Sequence, residues 1–189
     1  MFLFQDNDVY QLDLGQKSLE WKTLSTTGVG PSPRFGHGQC TVGQKLFVFG
    51  GRMGTAIDEK LLNDLYVLDT ETNQWEEVVG ATGVPPPSPR SFHSTVSWGG
   101  SMYVFGGCPD QGRCADLYEF NVETLSWKQL ETGPMEGRGG APLAVTPDGE
   151  IFVVGGFAGR EMADIHSYNI KTATWKTHQQ VRLPNCTNL

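Results

Sequence analysis

One feature governs what this 189-residue chain can fold into: a set of markers that returns about every 50 residues, always in the same order. Trp21, Trp75, Trp127 and Trp175 stand 54, 52 and 48 residues apart. The diglycines Gly50-Gly51, Gly106-Gly107 and Gly155-Gly156 are separated by 56 and 49, and Arg34, Arg90 and Arg138 by 56 and 48. Between each diglycine and the following Trp comes Asp-Leu-Tyr or a variant of it: Asp64-Leu65-Tyr66, Asp116-Leu117-Tyr118 and Asp164-Ile165-His166, with Asp8-Val9-Tyr10 ahead of them. Chance does not keep this order, so the chain is an array of like units.

The unit reads as a meander of antiparallel strands. Leu46 to Phe49 is a short aromatic and β-branched run stopped by Gly50 and Gly51, the mark of a strand buried on both faces. Leu65 to Leu68 is a second run. The polar turn Asp69-Thr70-Glu71-Thr72-Asn73 follows, and Trp75 opens another strand. With a first strand upstream, each unit holds four: Phe35 to Thr41, Leu46 to Gly51, Asp64 to Asp69 and Gln74 to Val79 in one; Phe92 to Trp98, Met102 to Gly107, Asp116 to Asn121 and Ser126 to Glu131 in the next; Ala141 to Val145, Ile151 to Gly156, Asp164 to Asn169 and Thr174 to Thr177 in the last. One Trp per unit, burying about 150–250 Å² and contributing up to roughly 4–6 kcal/mol, is expected to pin each unit to its neighbour.

Composition narrows the function classes. The chain is 38% apolar and 19% charged, as a soluble globular protein is, and carries a formal charge of -7 with a pI near 5.0. That balance argues against a nucleic-acid or anionic-membrane surface, though it leaves room for a local basic patch. No stretch approaches the roughly 18 apolar residues of a membrane span. Met1-Phe2-Leu3-Phe4 has neither a basic n-region nor a cleavage site, and Cys40, Cys108, Cys114 and Cys186 show no metal-type pairing, so a cytoplasmic location is expected.

On these markers the chain resembles the kelch-repeat β-propellers, whose repeat of about 50 residues forms one four-stranded blade. The resemblance implies an all-β partial propeller: an incomplete first blade over 1–25, three complete blades over 26–79, 80–131 and 132–178, and a non-repeat tail over 179–189. A ring usually needs more blades, so the sequence reads as truncated, and self-association through open blade edges is expected.

In an up-and-down blade the connection into strand one and the connection from strand two to strand three emerge on the same face. That face would carry Arg34, Arg90 and Arg138 beside the loops Arg52 to Asn63, Cys108 to Ala115 and Phe157 to Ala163, which differ in length and chemistry while the strands stay alike. The candidate binding residues are therefore Arg34, Arg90, Arg138, Arg52, Arg113, Phe157 and Arg160, with another protein as the expected partner and no catalytic residue. The three repeated arginines either present their guanidinium groups to a carboxylate or sulfate-like ligand or pair with acidic neighbours inside the scaffold. His37 and His93, each three residues after a repeat arginine, suit a scaffold hydrogen bond better than catalysis. Cys108 and Cys114 read as two free thiols, or else as a small disulfide or metal clip. Glu161, Asp164 and His166 form the one carboxylate and imidazole grouping with the look of a metal site.

Within the kelch family, Pro89-Arg90-Ser91-Phe92-His93-Ser94 and Gly137-Arg138-Gly139-Gly140-Ala141 resemble segments of the plant nitrile-specifier proteins. That resemblance implies an alternative: ferrous-iron-dependent breakdown of a sulfated aglucone, with Arg90 and Arg138 on the sulfate. The iron motif of those proteins, Glu, Asp and His at successive spacings of four, is absent from this chain. Rab-effector kelch proteins share the general pattern and imply no catalysis. The reading that best fits the residues is a non-catalytic protein-interaction module without a cofactor.

Overall fold

Each repeat folds into one antiparallel sheet, and the sheets follow one another as blades of a propeller arc. The computed structural model describes residues 7–54, 58–79 and 82–179, the side chains of 82 and 83 excepted. The expected opening strand Met1 to Phe4 and the tail beyond residue 179 lie outside the described residues. Ahead of the full blades, β1 (Val9–Leu12) pairs with β2 (Trp21–Leu24). The first full blade holds β4 (Gly38–Val42), β5 (Lys45–Met53), β6 (Lys60–Asp69) and β7 (Gln74–Glu77), with the two-residue β3 (Thr27–Gly28) lying parallel to β7 on its outer edge. The second repeats this with β9 (Ser94–Trp98), β10 (Ser101–Gly107), β11 (Cys114–Asn121), β12 (Ser126–Gln129) and the edge strand β8 (Thr82–Gly83). The third has β13 (Leu143–Val145), β14 (Glu150–Phe157), β15 (Glu161–Asn169) and β16 (Thr174–His178). No helix occurs among the described residues, and so none is long and apolar enough to cross a membrane.

Apolar residues on both faces of the central strands explain why blades stack. Phe47, Phe49, Leu65 and Val67 of the first full blade close on Met102, Val104, Phe120 and Trp127 of the second. Tyr103, Phe105 and Leu117, on the opposite face of the second, close on Ile151, Val153 and Tyr168 of the third. The tryptophans act across these seams, as their spacing predicts. The Trp127 ring lies 5.1 Å from Phe49 and 5.0 Å from Phe120, and the Trp175 ring 6.2 Å from Phe105. Trp75 is buried with Val48 and Leu68, against Val9 of β1. Trp21, in β2, is 69% exposed.

Two local devices shape every blade. The turn between its last two strands is closed by one side chain: Asp69 Oδ1 accepts the N–H groups of Glu71 and Thr72, and Asn121 and Asn169 repeat the arrangement two and three residues on. The diglycine is a β-bulge. The register shifts between Phe49 and Gly51, between Phe105 and Gly107, and between Val154 and Gly156. Glycine is required there because the backbone is left-handed and crowded: Gly107 has φ 98°, and a Cβ would lie 2.8 Å from His93 Cβ and 2.9 Å from Ser91 O.

The bulge also corrects the strand ends. In the first and third full blades the diglycine does not stop its strand: β14 runs on to Phe157, and β5 continues to Met53 while β6 begins at Lys60, so Arg52 is a strand residue rather than the start of a loop; β10 ends at Gly107. The first strand of each blade starts two or three residues late, because Phe35, Ser91 and Gly139 instead form isolated bridges to Arg52, Cys108 and Phe157. The outer-edge pairs β3 and β8 have no counterpart in the sequence reading.

Gly107→Ala should therefore destabilise the chain by on the order of 3 kcal/mol in urea unfolding, from strain plus a backbone clash. Gly99→Ala, at φ 58° with nothing within 4 Å, should cost only about 1 kcal/mol. Equal losses at the two sites would count against the crowding at the bulge.

Candidate functional site

The three repeat arginines lie inside the blades. Arg34, Arg90 and Arg138 are 8%, 1% and 1% exposed, so they do not stand on the loop face among the recognition residues. Each guanidinium grips an aspartate of its own blade through two bonds: Asp64 at 2.5 and 3.0 Å, Asp116 at 2.6 and 2.9 Å, Asp164 at 2.6 and 3.0 Å. The same Nη1 donates to the carbonyl of the first bulge glycine, Gly50, Gly106 or Gly155. Nε donates to the carbonyl two residues back, that of Ser32, Ser88 or Glu136, and in the first two blades the serine hydroxyl takes the remaining N–H. All five donors of Arg34 and Arg90, and four of those of Arg138, are consumed by the scaffold. Burial disfavours the charge of Arg90, yet Asp116 outweighs that and raises its pKa. The bonds from Arg138 hold the Asp164 carboxyl well below the usual range, and His166 adds to the effect.

Of the two histidines in register, His93 is structural too. His93 Nε2 accepts the Gly38 N–H at 3.0 Å across the seam, and its ring meets Phe49 edge-on. Burial, reinforced by Arg90, lowers its pKa to about 3. Cys40, Cys108 and Cys114 are free thiols, and burial pushes Cys40 up to about 12. The Glu161, Asp164 and His166 grouping does not form a metal site. Asp164 gives both oxygens to Arg138 and one to His166 Nε2 at 2.9 Å, and no group of three metal-ligating side chains comes together among the described residues. The donor set for ferrous iron is thus not found among the described residues.

What reaches the surface lies at the rim where the β5–β6, β10–β11 and β14–β15 hairpins gather. A depression of about 480 Å³ is lined by Arg52, Phe92, Cys108, Arg113 and Phe157 over a glycine floor at Gly112, Gly139 and Gly140. The Arg52 guanidinium sits 5.6 Å above Phe35 and 5.1 Å above Phe92, bonded to Ser91 Oγ at 3.0 and 2.8 Å and paired with Glu59. Arg113 lies 4.9 Å over the Phe157 ring, and among the described residues no carboxylate pairs with it. Arg160 stands apart, in an exposed pair with Glu136 at 2.6 Å. Arg52, Arg113 and Phe157 of the expected set are therefore brought together. Phe92, which sequence reasoning placed in a strand, joins them. It has φ 54° at a position where the neighbouring blades have Gly36 (63°) and Gly140 (62°), a conformation that costs a side-chain-bearing residue about 1–2 kcal/mol. Lining up Gly36, Phe92 and Gly140 by repeat register would have singled it out.

Two outcomes test this division of roles. Asp116→Ala, which strands a buried guanidinium, should cost about 3 kcal/mol in chemical denaturation, whereas Glu136→Ala at the exposed pair should leave the midpoint unchanged. Because the folded His93 takes its proton only near pH 3 and the unfolded one near 6.5, its contribution is complete above pH 6.5 and is lost as pH falls toward 3. The stability gap between the wild type and His93→Gln should narrow over that window; a constant gap would show that His93 does not titrate with unfolding.

Comparison with known proteins agrees with this geometry. Residues 3–186 match the family described as the KLHDC2/KLHL20/DRC7 Kelch-repeats domain. The chain is 30% identical over 184 residues to Kelch domain-containing protein 3 of Bos taurus, covering 90% of this chain and 46% of that protein. It is 36% identical over 162 residues to Adagio protein 3 of Arabidopsis thaliana, covering 80% and 25%. It thus spans about half the length, or less, of these curated relatives. The solved structure of YjhT superposes with a TM-score of 0.78 at 20% identity, over 94% of this chain and 60% of that one, a likeness of fold. By the family match and by the bulge, aspartate and tryptophan of each blade, the chain belongs to the kelch-repeat family.

Proposed function

We propose that these blades act as a protein-interaction module whose contact surface is the hairpin rim around Arg52, Phe92, Arg113 and Phe157. One observation carries the reading: the central strands keep one pattern of markers, while the rim gathers unlike residues, exposed rings and a cation that no carboxylate pairs among the described residues. Arg and Phe are the residue types enriched where proteins meet, and rings held by a neighbouring guanidinium lose little freedom on contact. Membership of the kelch family supports the same use. The buried arginines support it indirectly, by fixing the hairpins that carry the rim.

The test is affinity capture with the purified chain as bait, comparing Arg113→Glu/Phe157→Ser with Glu123→Lys, which alters the turn at the opposite ends of the strands. The rim variant should lose the proteins retained by the wild type, and the control should keep them. Retention by the rim variant with loss in the control would move the contact surface to the opposite face.

A further inference from the structure

The three residues that line the inner edge of the arc, Gly36, Phe92 and Gly140, are joined peptide to peptide. The Phe92 N–H donates to Gly36 O at 2.7 Å, and the Gly140 N–H donates to Phe92 O at 2.7 Å. These bonds between successive blades hold all three backbones left-handed. Glycine meets that demand without strain, and two of the blades use it. The middle blade has phenylalanine, in a conformation that is an outlier for a bulky residue. The ring meets Phe35 edge-on at 6.3 Å but belongs to no core cluster: it is 43% exposed, and a Cβ would meet nothing within 4 Å at Gly140, although at Gly36 it would lie 3.2 Å from Phe92 N. Strain kept at an exposed side chain is the signature of a position retained for contact.

The surroundings give that contact a chemistry. Phe92 forms one wall of the depression and Phe157 stands on its rim, with the glycine floor of the third blade between. Guanidinium groups cap both rings, Arg52 on Phe92 and Arg113 on Phe157. Among the described residues no carboxylate lines the depression, although the chain as a whole carries -7. Arg52 already has Glu59; Arg113 has a ring and, among the described residues, no carboxylate. We propose that the depression receives an aromatic side chain of the partner with an acidic side chain beside it, the ring resting on Phe92 and Phe157 and the carboxylate on Arg113. Phe92 is the residue that sets this specificity. The inference rests on the interaction reading above and gives it a ligand class.

Fluorine NMR with the intact chain tests it. The probe is acetyl-Gly-Ser-Glu-(para-fluoro-Phe)-Ser-Gly-amide, whose single charge is the internal carboxylate, compared with siblings carrying Gln or Lys in place of Glu. A further sibling has Gln at that position and a free carboxylate at its C-terminus. The Glu probe should broaden and shift with the wild type, and the Gln and Lys siblings should bind at least about tenfold more weakly. Phe92→Gly should weaken the Glu probe about tenfold while raising the thermal unfolding midpoint, because the strain is gone and the ring is lost together. Arg113→Gln should abolish the preference for Glu over Gln. Unchanged probe binding in Phe92→Gly, or a lowered midpoint, overturns the role given to Phe92. Tighter binding of the C-terminal carboxylate sibling overturns the choice of an acidic side chain. No binding of any probe, with capture still dependent on Arg113 and Phe157, overturns this ligand class and leaves the interaction module standing; loss of both removes both.

Discussion

The buried arginine is the constraint on which the rest of the blade depends. A guanidinium removed from water is tolerated only where its fork is met by matching acceptors, and here a carboxylate, a bulge carbonyl and the carbonyl two residues back meet it together. Lysine has three donors on a flexible stem and could not span that set. The main chain at the same residue ties the blade to the one before. The Arg90 N–H donates to Leu62 O and the Gly51 N–H to Arg90 O, and Arg138 repeats this with Cys114 and Gly107. Side chain inward and peptide backward, one residue fixes the sheet, its bulge and its neighbour.

That arrangement explains why the hairpins beyond the bulge are free to differ. The bulge carbonyl and the aspartate are held by the arginine below the rim, so the clamp itself does not depend on the side chains directly past Gly51, Gly107 and Gly156. They can hold Arg52 in one blade, Cys108 in the next and Phe157 in the third at the same bridge position. The left-handed residues at the inner edge follow the same logic. Their conformation is set by inter-blade hydrogen bonds, which leaves the side chain, present only at Phe92, available for contact.

The repeat itself was legible: tryptophan spacing foretold the aromatic seams at Trp127 and Trp175, though not the exposed Trp21, and the diglycines foretold a special backbone. The direction of the arginines was open in the sequence, although the partner stood in view, since Asp64, Asp116 and Asp164 follow Arg34, Arg90 and Arg138 by 30, 26 and 26 residues. A shared interval shows that two positions travel together without showing which way a side chain points. Strands β3 and β8 were illegible for a different reason, being two-residue parallel pairings that leave no periodic pattern. The extension of β5 past Gly51 was hidden because glycine marks a bulge and a strand end alike.

The third blade shows how far the clamp can vary. In the first two, a serine two residues before the arginine takes one N–H, and the tyrosine ring after the aspartate lies 5.4 or 5.7 Å from the guanidinium. In the third, both positions change. Glu136 replaces the serine and turns outward to Arg160, and His166 replaces the tyrosine and bonds Asp164 directly. The two departures surround one ion pair: a donor on the arginine side loses its acceptor, and the aspartate gains a second partner. Arg138 stays buried, held at two points by an Asp164 that also bonds His166. Outward, the same exchange links the entry loop to the β14–β15 hairpin, beside the rim that carries Phe157. A change made inside the clamp thus alters the surface through the residues that the clamp releases.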